Sequence, residues 1–588
     1  MKRILSLQNL LSLVFAIGIT CFFALLYPHH LHFQEQFQLF QFDWNYALDL
    51  ISVPGGLAEW LGRFCVQFFL FAWAGAPIIA LTLTAVQRLT ATLFNDKHLY
   101  GLSFIPAVML LFFVFDENAK FGSVWAVLLS LLFFRVLEKV RPLWLQLTLF
   151  FLCLVPVYWA AGPVSVVFVL LSLFKLLPAL HKQKDMLWCV AVAVIALIFV
   201  GAIPAAAHHF VNYELMRFYY GIHYHNAWMD VPILFWPTAW ILAFLPLANL
   251  LVRKPLSGTA SKICSLSIYT AVVVLICSLF HVYYNPGHEK VMKYDFMARF
   301  QQWNRILLTA KEEIPQNPIS VTALNLALGM RGQMSEHMFE YRQNGLSGLL
   351  PGFVRDPVSP LVTSEAYYQL GMINTAQRHV FEAQEAIPSY QKSARCYKRL
   401  AQTNLIMGKY KVSRKYLEVL QKTLFYRTWA NETMALLGDE EAINRHPEYG
   451  RLRSYVVKDN YFFSEREISQ MLGQQLMANP HNRLAFEYLQ ASYLLTGNLE
   501  NFTACLEFGE ELGITILPKH FQEACILWWS HDHGPNDPAP SFIMPAYVQG
   551  MNQYYSVAGK PGVSDAALAR QFGRTYWHYF FSNIRTVK

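Results

Sequence analysis

Apolar residues in the first half of the chain fall in long unbroken runs, whereas in the second half they recur at helical spacing among polar residues. A helix that crosses a bilayer needs about 20 apolar residues, because backbone groups cannot be left unpaired in lipid. Runs at 4–27, 64–86, 98–115, 122–138, 142–160, 163–180, 186–207, 232–252 and 263–284 predict nine spans. The first follows Lys2 and Arg3, as a signal peptide would. Its length, and the want of a small-residue cleavage site, predict a retained helix.

The loops between these runs differ in charge. Lys2–Arg3, Arg88–Lys97, Arg135–Lys139–Arg141, His181–Lys182–Lys184 and Arg253–Lys254–Lys262 alternate with four other connections. Those are 28–63, the acidic Asp116–Glu117 turn, the Ala160–Gly162 turn and 208–231. Basic loops stay in the cytoplasm, so an odd number of spans places everything after them outside. The expected organisation is a transmembrane domain, 1–285, with two long outer loops (28–63 and 208–231), then an extracytoplasmic helical domain, 286–588.

Within that tail, three segments share a pattern. Tyr367, Leu370, Gly371, Asn374 and Ala383 form one, and Tyr397, Leu400, Ala401, Asn404, Gly408 and Ser413 a second. Phe486, Leu489, Tyr493, Gly497 and Phe502 form the third. In a frame of about 34 residues they resemble tetratricopeptide (TPR) repeats, whose small residues let antiparallel helices pack closely. The fold class expected is all-α: a polytopic membrane domain followed by a TPR-like α-solenoid with a concave binding face. The proline-rich stretch 529–562 predicts a loop, and 564–583 a closing helix.

Composition sharpens this picture. Only 15% of the 588 residues are charged and 55% are hydrophobic, well short of the charge of an ordinary soluble chain. The net charge of +8 does not gather into a basic face with interleaved aromatics, which excludes nucleic-acid binding. The nine cysteines show no CxxC pair and no zinc spacing, so no disulfide framework or structural metal is indicated.

Candidate chemistry concentrates in the two outer loops. The first holds Glu35, Asp43, Asp49 and Glu59 among aromatics and is broken by Pro54-Gly55-Gly56, which reads as helices lying in the membrane interface. Carboxylates at that boundary need water, a partner or a substrate. Glu35 and Asp43 are the candidate catalytic acids or bases. The second loop gathers His208, His209, Glu214, Arg217, His223, His225 and Asp230. Arg217 suits a phosphate, because a guanidinium pairs with it bidentately; His223, His225 and Glu214 complete the candidate substrate-binding set. A divalent metal on His223 and His225 is conceivable but not favoured, since no His-x3-His pair occurs. His531, Asp532 and His533 read as a solvated turn. No P-loop, GxSxG, HExxH or GxGxxG in strand–helix context occurs.

The segments QEQFQLF and PGGLAEWLGRFCVQFF within 34–69, NLALGMRGQMSEHMFEY at 325–341 and TYWHYFF at 575–581 resemble an uncharacterised family of Bacteroidota inner-membrane proteins with a TPR-like tail. That resemblance implies a bacterial inner-membrane location with a periplasmic tail. The architecture also resembles GT-C type membrane glycosyltransferases, which use polyprenyl-phosphate-linked sugars. It implies Asp43 or Glu35 at the acidic position of the first loop and Arg217 on the lipid phosphate, although no Asp-Asp or Glu-Asp pair stands in that loop. The expectation is an envelope-biogenesis protein transferring a lipid-linked sugar at the periplasmic face. The alternative is a non-catalytic scaffold whose tail binds a periplasmic protein. Transport fits less well, because the spans hold few ionisable groups.

Overall fold

The computed structural model describes residues 7–181, 186–226, 232–251, 258–352, 359–387, 391–458, 464, 467–534 and 537–584. Lys2, Arg3, Lys182, Lys184, Asp230, Arg253, Lys254 and Pro535 lie outside that set. Among the described residues the fold is helical throughout, with only two isolated β-bridges and no strand. The chain divides into two compact units. One is Met1–Glu289 with Pro388–Ala394 and Gln421–Arg427; the other is Lys290–Ile387, Arg395–Leu420 and Thr428–Lys588.

The first unit is built on α1 (Leu7–Cys21), α2 (Pro28–Gln36), α3 (Trp44–Ile51), α4 (Gly56–Val66), α5 (Ala72–Ala91), α6 (Phe104–Val114) and α7 (Phe121–Glu138). It continues through α8 (Leu143–Ala161), α9 (Val166–His181), α10 (Met186–His208), α11 (Leu215–Tyr220), α12 (Phe235–Phe244), α13 (Ala248–Leu251) and α14 (Gly258–Tyr283). Among the described residues, six stretches are long and apolar enough to cross a membrane: Leu7–Leu26, Lys97–Val114, Phe121–Glu138, Leu143–His181, Met186–His208 and Gly258–Tyr283. The chain is a membrane protein.

The nine expected spans therefore reduce to six such stretches, for three physical reasons. Leu143–His181 contains two of the expected spans, folded back on each other at Gly162, whose φ of 75° suits glycine. The 64–86 window does not hold one helix: 64–66 end α4, a 3-10 turn follows, and α5 begins only at Ala72 and carries Thr82, Thr84, Gln87, Arg88 and Thr90. The 232–252 window yields only the shorter apolar helix Phe235–Leu247, tightened into a 3-10 turn at Pro246. The core lies among α1 and α4–α9, where Val66, Phe69, Ile79, Leu83, Val108, Val127 and Phe150 are wholly buried. By contrast α10 and α14 bury little of their surface inside the unit, at 11% and 6% of their apolar windows.

In the second unit the three sequence segments each form a helix pair: Ser359–Leu370 with Ile373–Ala386, Ala394–Ile406 with Tyr410–Gln421, and Arg483–Thr496 with Leu499–Ala504. The turns rest on Gly371, Gly408 and Gly497, at φ of 86°, 70° and 73°. In each, the residue after the glycine donates its N–H to a carbonyl five back, the Schellman closure of a helix end. One cross-helix bond recurs at fixed offsets from the glycine. Ser364 Oγ donates to Ala376 O (3.1 Å), Ser413 Oγ to Ala401 O (2.8 Å) and Gln490 Nε2 to Phe502 O (3.2 Å). The repeat is thus registered on the turn glycine. Aligned on that glycine, Gly371 corresponds to Gly408 and not to Ala401, which lies inside a helix, so the first two sequence segments are not in register as read.

Two expectations further along are corrected. The stretch 529–562 is not all loop, since Pro545–Ala558 is a helix; Pro545 sits in the first turn, where its missing N–H costs nothing. The closing helix is divided into Asp565–Phe572, Tyr576–Tyr579 and a π-turn, Phe580–Ile584.

Candidate functional site

The first outer loop turns at Pro54-Gly55-Gly56, where Gly55 adopts φ of 81° and donates its N–H to Trp159 O at 2.9 Å. The turn opens α4, on which Glu59 and Arg63, four residues apart, share a face. Arg63 Nε donates to Glu59 Oε1 at 2.7 Å, and Lys120 Nζ lies 3.9 Å from the same oxygen. All three side chains are buried, Glu59 completely.

Lys120 arrives there through the second outer loop. Its N–H donates to Tyr224 O (3.2 Å) and Asn226 N–H to Asn118 O (2.8 Å), pairing Ala119 with His225 in an antiparallel bridge. Tyr224 in turn donates its hydroxyl to Ala161 O (2.6 Å) and accepts from Val164 N–H (2.9 Å), fixing the loop to the α8–α9 turn. Close backbone approach completes the site. A Cβ on Gly62 would stand 2.4 Å from Gly122 Cα, and one on Gly122 would stand 2.6 Å from Glu59 Oε2.

The electrostatics follow from burial. Desolvation alone would raise the Glu59 carboxyl, but Arg63, Lys120 and His223 outweigh it and hold it at about 2. Desolvation brings Lys120 down to about 8, helped by Arg63 and Arg217 and opposed by Glu59. His223 falls to about 3, through desolvation first and then Lys120, Arg63 and Arg217 against the pull of Glu59. His223 is therefore a neutral imidazole at pH 7. Both of its ring nitrogens, and Glu59 Oε2, are buried without a hydrogen-bond partner.

Arg63 and His223 of this cluster line a chamber of about 350 Å³, with Gln41, Tyr46, Asp49, Tyr213 and Lys392 as its other polar residues. Tyr46 receives a hydrogen bond from Arg63 (3.4 Å) and donates one to Leu39 O (3.0 Å). Lys392 reaches this wall because Leu39 N–H donates to Lys392 O at 3.1 Å. Two fixed cations and a neutral imidazole against Asp49 make a seat for an anion with a proton acceptor beside it.

The residues singled out from the sequence are distributed as follows. His223 lines the chamber. Arg217 sits on α11, and its charge acts on Lys120, His223 and His225. His225 Nδ1 lies 3.1 Å from Asn226 O, while Glu214 is exposed at the start of α11; no ion pair joins it to Arg217 among the described residues. Glu35 is buried and accepts from the Tyr426 hydroxyl at 2.7 Å. Asp43 caps α3 through Asn45 N–H (3.0 Å) and pairs with Lys422, and Lys422 with the α3 cap holds its carboxyl below the usual range. Asp49, rather than Glu35 or Asp43, lines the chamber. Among the described residues no group of three His, Cys, Asp or Glu is placed to hold a metal ion.

Arg63, Lys120 and Lys392 were not singled out from the sequence. A signal was present: Arg63 and Lys120 are basic residues on connections assigned to the outer side, where charge bias alone gives them no reason to be. Residues 2–583 match the model of a family described as a family of unknown function (DUF6057). No curated protein and no solved structure matches the chain.

Proposed function

The chain belongs to that family, DUF6057, and from this premise we propose that it is an envelope-biogenesis transferase of the bacterial inner membrane. It takes a sugar carried on a lipid phosphate at the periplasmic face. One observation carries the reading: a chamber at the outer-loop end of the spans that presents Arg63 and Lys392 beside a neutral, unpartnered His223. In the GT-C-like step, the acceptor hydroxyl oxygen attacks the anomeric carbon and the bond from that carbon to the phosphate oxygen breaks. The phosphate keeps the electron pair, neutralised by Arg63 and Lys392, while the hydroxyl proton passes to the Asp49 carboxylate in the chamber wall and the neutral His223 hydrogen-bonds the acceptor. Arg217 adds positive charge next to this point. Asp43 and Glu35 act from the rim, through Lys422 and Tyr426, by fixing the segment 421–427. The proposed topology keeps the amino terminus inside and the TPR-like tail outside, with Leu143–His181 crossing twice and α5 and α12 completing nine passes.

The test is native mass spectrometry of the detergent-purified protein with a long-chain polyprenyl phosphate, followed by transfer assays with the glycosylated lipid. Lys392→Gln and His223→Gln should each weaken retention or turnover at least about tenfold, a loss of about 1.4 kcal/mol, with unchanged thermal stability. Retention and turnover indifferent to both substitutions would defeat the transferase. The scaffold reading would then stand, favoured by the glycine-registered helix pairs of the second unit.

A further inference from the structure

The second unit holds a cavity of about 390 Å³, within the range that takes a small organic molecule. Of the residues around it Phe486, Phe521 and Cys525 are buried and form its inner surface, whereas Trp528 and Phe542, at 43% and 56% exposure, reach solvent. Trp529, next to Trp528 on the helix Lys519–Asp532, adds a further ring. Cys525 brings no charge there, because desolvation pushes its thiol up to about 12. Local backbone geometry keeps the space free. Ile514 N–H donates to Gly509 O at 2.9 Å, turning the chain back at Gly513 (φ 75°) and bringing Ile514, Thr515 and Leu517 to the cavity. A Cβ on Gly509 would stand 3.3 Å from Phe486 Cζ, so a side chain at this position would crowd the inner surface. The charge at the cavity has one sign. Glu507 and Glu510 line it and are exposed, and no Lys, Arg or His occurs in the sequence between Arg483 and Lys519. Lys519 is engaged elsewhere, its Nζ donating to Glu340 Oε1 (3.0 Å) and to Arg574 O (2.9 Å). Among the described residues neither Glu507 nor Glu510 forms an ion pair.

Ring faces carry the negative side of the aromatic quadrupole, so the rings and the two carboxylates favour the same sign of ligand charge. We propose that this cavity binds an organic cation, an amine with an aromatic body that packs against Phe486, Phe521, Trp528 and Trp529 while its ammonium meets Glu507 and Glu510. A neutral molecule of the same shape gains the apolar contacts alone, and an anion meets repulsion from both carboxylates. The volume holds a whole small molecule, which favours a free amine over one side chain of a docked peptide. The site is independent of the chamber in the membrane-bearing unit, and neither reading rests on the other.

The experiment titrates the full-length protein in detergent, by calorimetry, with tryptamine, tryptophol and indole-3-propionate. These share an indole and a two-carbon arm but end in a cation, a hydroxyl and an anion. Tryptamine should bind at least about tenfold tighter than tryptophol, and indole-3-propionate more weakly than either. Glu507→Gln and Glu510→Gln together, both at exposed positions, should bring tryptamine down to the affinity of tryptophol and leave tryptophol unchanged. Glu511→Gln, exposed and outside the cavity, should leave all three unchanged; a loss there as large as in the double variant overturns the contact with Glu507 and Glu510. Trp528→Ala should weaken tryptamine and tryptophol alike, by about tenfold. Equal affinity for the three probes, or a preference for tryptamine that survives the double variant, overturns the recognition of charge. Binding indifferent to Trp528→Ala, or no binding at millimolar concentration, overturns the site. A blocked tryptophanyl-lysine peptide that binds more tightly than tryptamine overturns the free amine in favour of a protein segment.

Discussion

Glu59 is the residue on which the chamber turns. It is wholly buried, bonded to Arg63 on its own helix and faced by Lys120 from a loop sixty-one positions later in the chain. Removing one partner of a buried ion pair strands the others, at a cost of about 3–5 kcal/mol, so Glu59→Gln should lower thermal stability at pH 7 by about 3 kcal/mol. The pH dependence has a definite sign. The folded value of about 2 lies below the ordinary carboxylate value of about 4.3. The contribution is therefore complete above the unfolded value and disappears as pH falls through about 2. Melting curves of wild type and variant should converge on acidification; curves that stay parallel down to pH 3 and below would remove Glu59 from this role. Glu59 and His223 were both visible in the sequence as polar residues of the outer loops. Their meeting was not, because periodicity reports a residue's own helix face and not a partner brought in by a β-bridge between 118–120 and 224–226.

At the scale of elements, glycine decides two geometries. The α4–α7 crossing is tight because Gly62 and Gly122 put backbone against backbone. Gly62→Ala has no flexible neighbour to move and should cost about 1–3 kcal/mol, read as a lower melting temperature and a lower yield in membranes. Gly201→Ala, with open space around its Cβ position, is the matched control and should leave both unchanged. Equal behaviour of the two would show that the crossing tolerates a wider separation. In the second unit the helices themselves were legible, since 3.6-residue spacing needs no tertiary information. The repeat register was not. Leu370-Gly371 and Ala401 look alike as small-residue neighbourhoods in sequence, yet Gly371 ends a helix at φ of 86° and Ala401 lies inside one. Only the cross-helix bonds at Ser364, Ser413 and Gln490 align the pairs.

For the whole molecule, hydropathy located the long apolar stretches, but it could not set boundaries where Pro246 and the 3-10 turn Gln67–Leu70 break the windows. The proposed topology has a direct check. A reporter fused after Lys184 should read cytoplasm and one fused after Gly287 should read periplasm, as an odd number of passes requires. A cytoplasmic signal after Gly287 would reverse the side on which the chamber opens and end the periplasmic transferase. The units are not beads on a string either. Two pieces far along the chain, Pro388–Ala394 and Gln421–Arg427, belong to the membrane-bearing unit. There Lys392 joins the chamber wall, Tyr426 holds Glu35, and Phe425 stacks edge-on against Phe68 and Phe71 at 5.7 and 5.2 Å. A ribosome that has delivered every apolar stretch to the membrane has still not made the parts that finish this unit. Lys392 of the chamber wall is synthesised 109 residues after Tyr283, the end of the last apolar stretch. During that interval the nascent protein has made its apolar stretches but lacks Lys392, so the chamber wall is completed after the last apolar stretch and before the chain is finished.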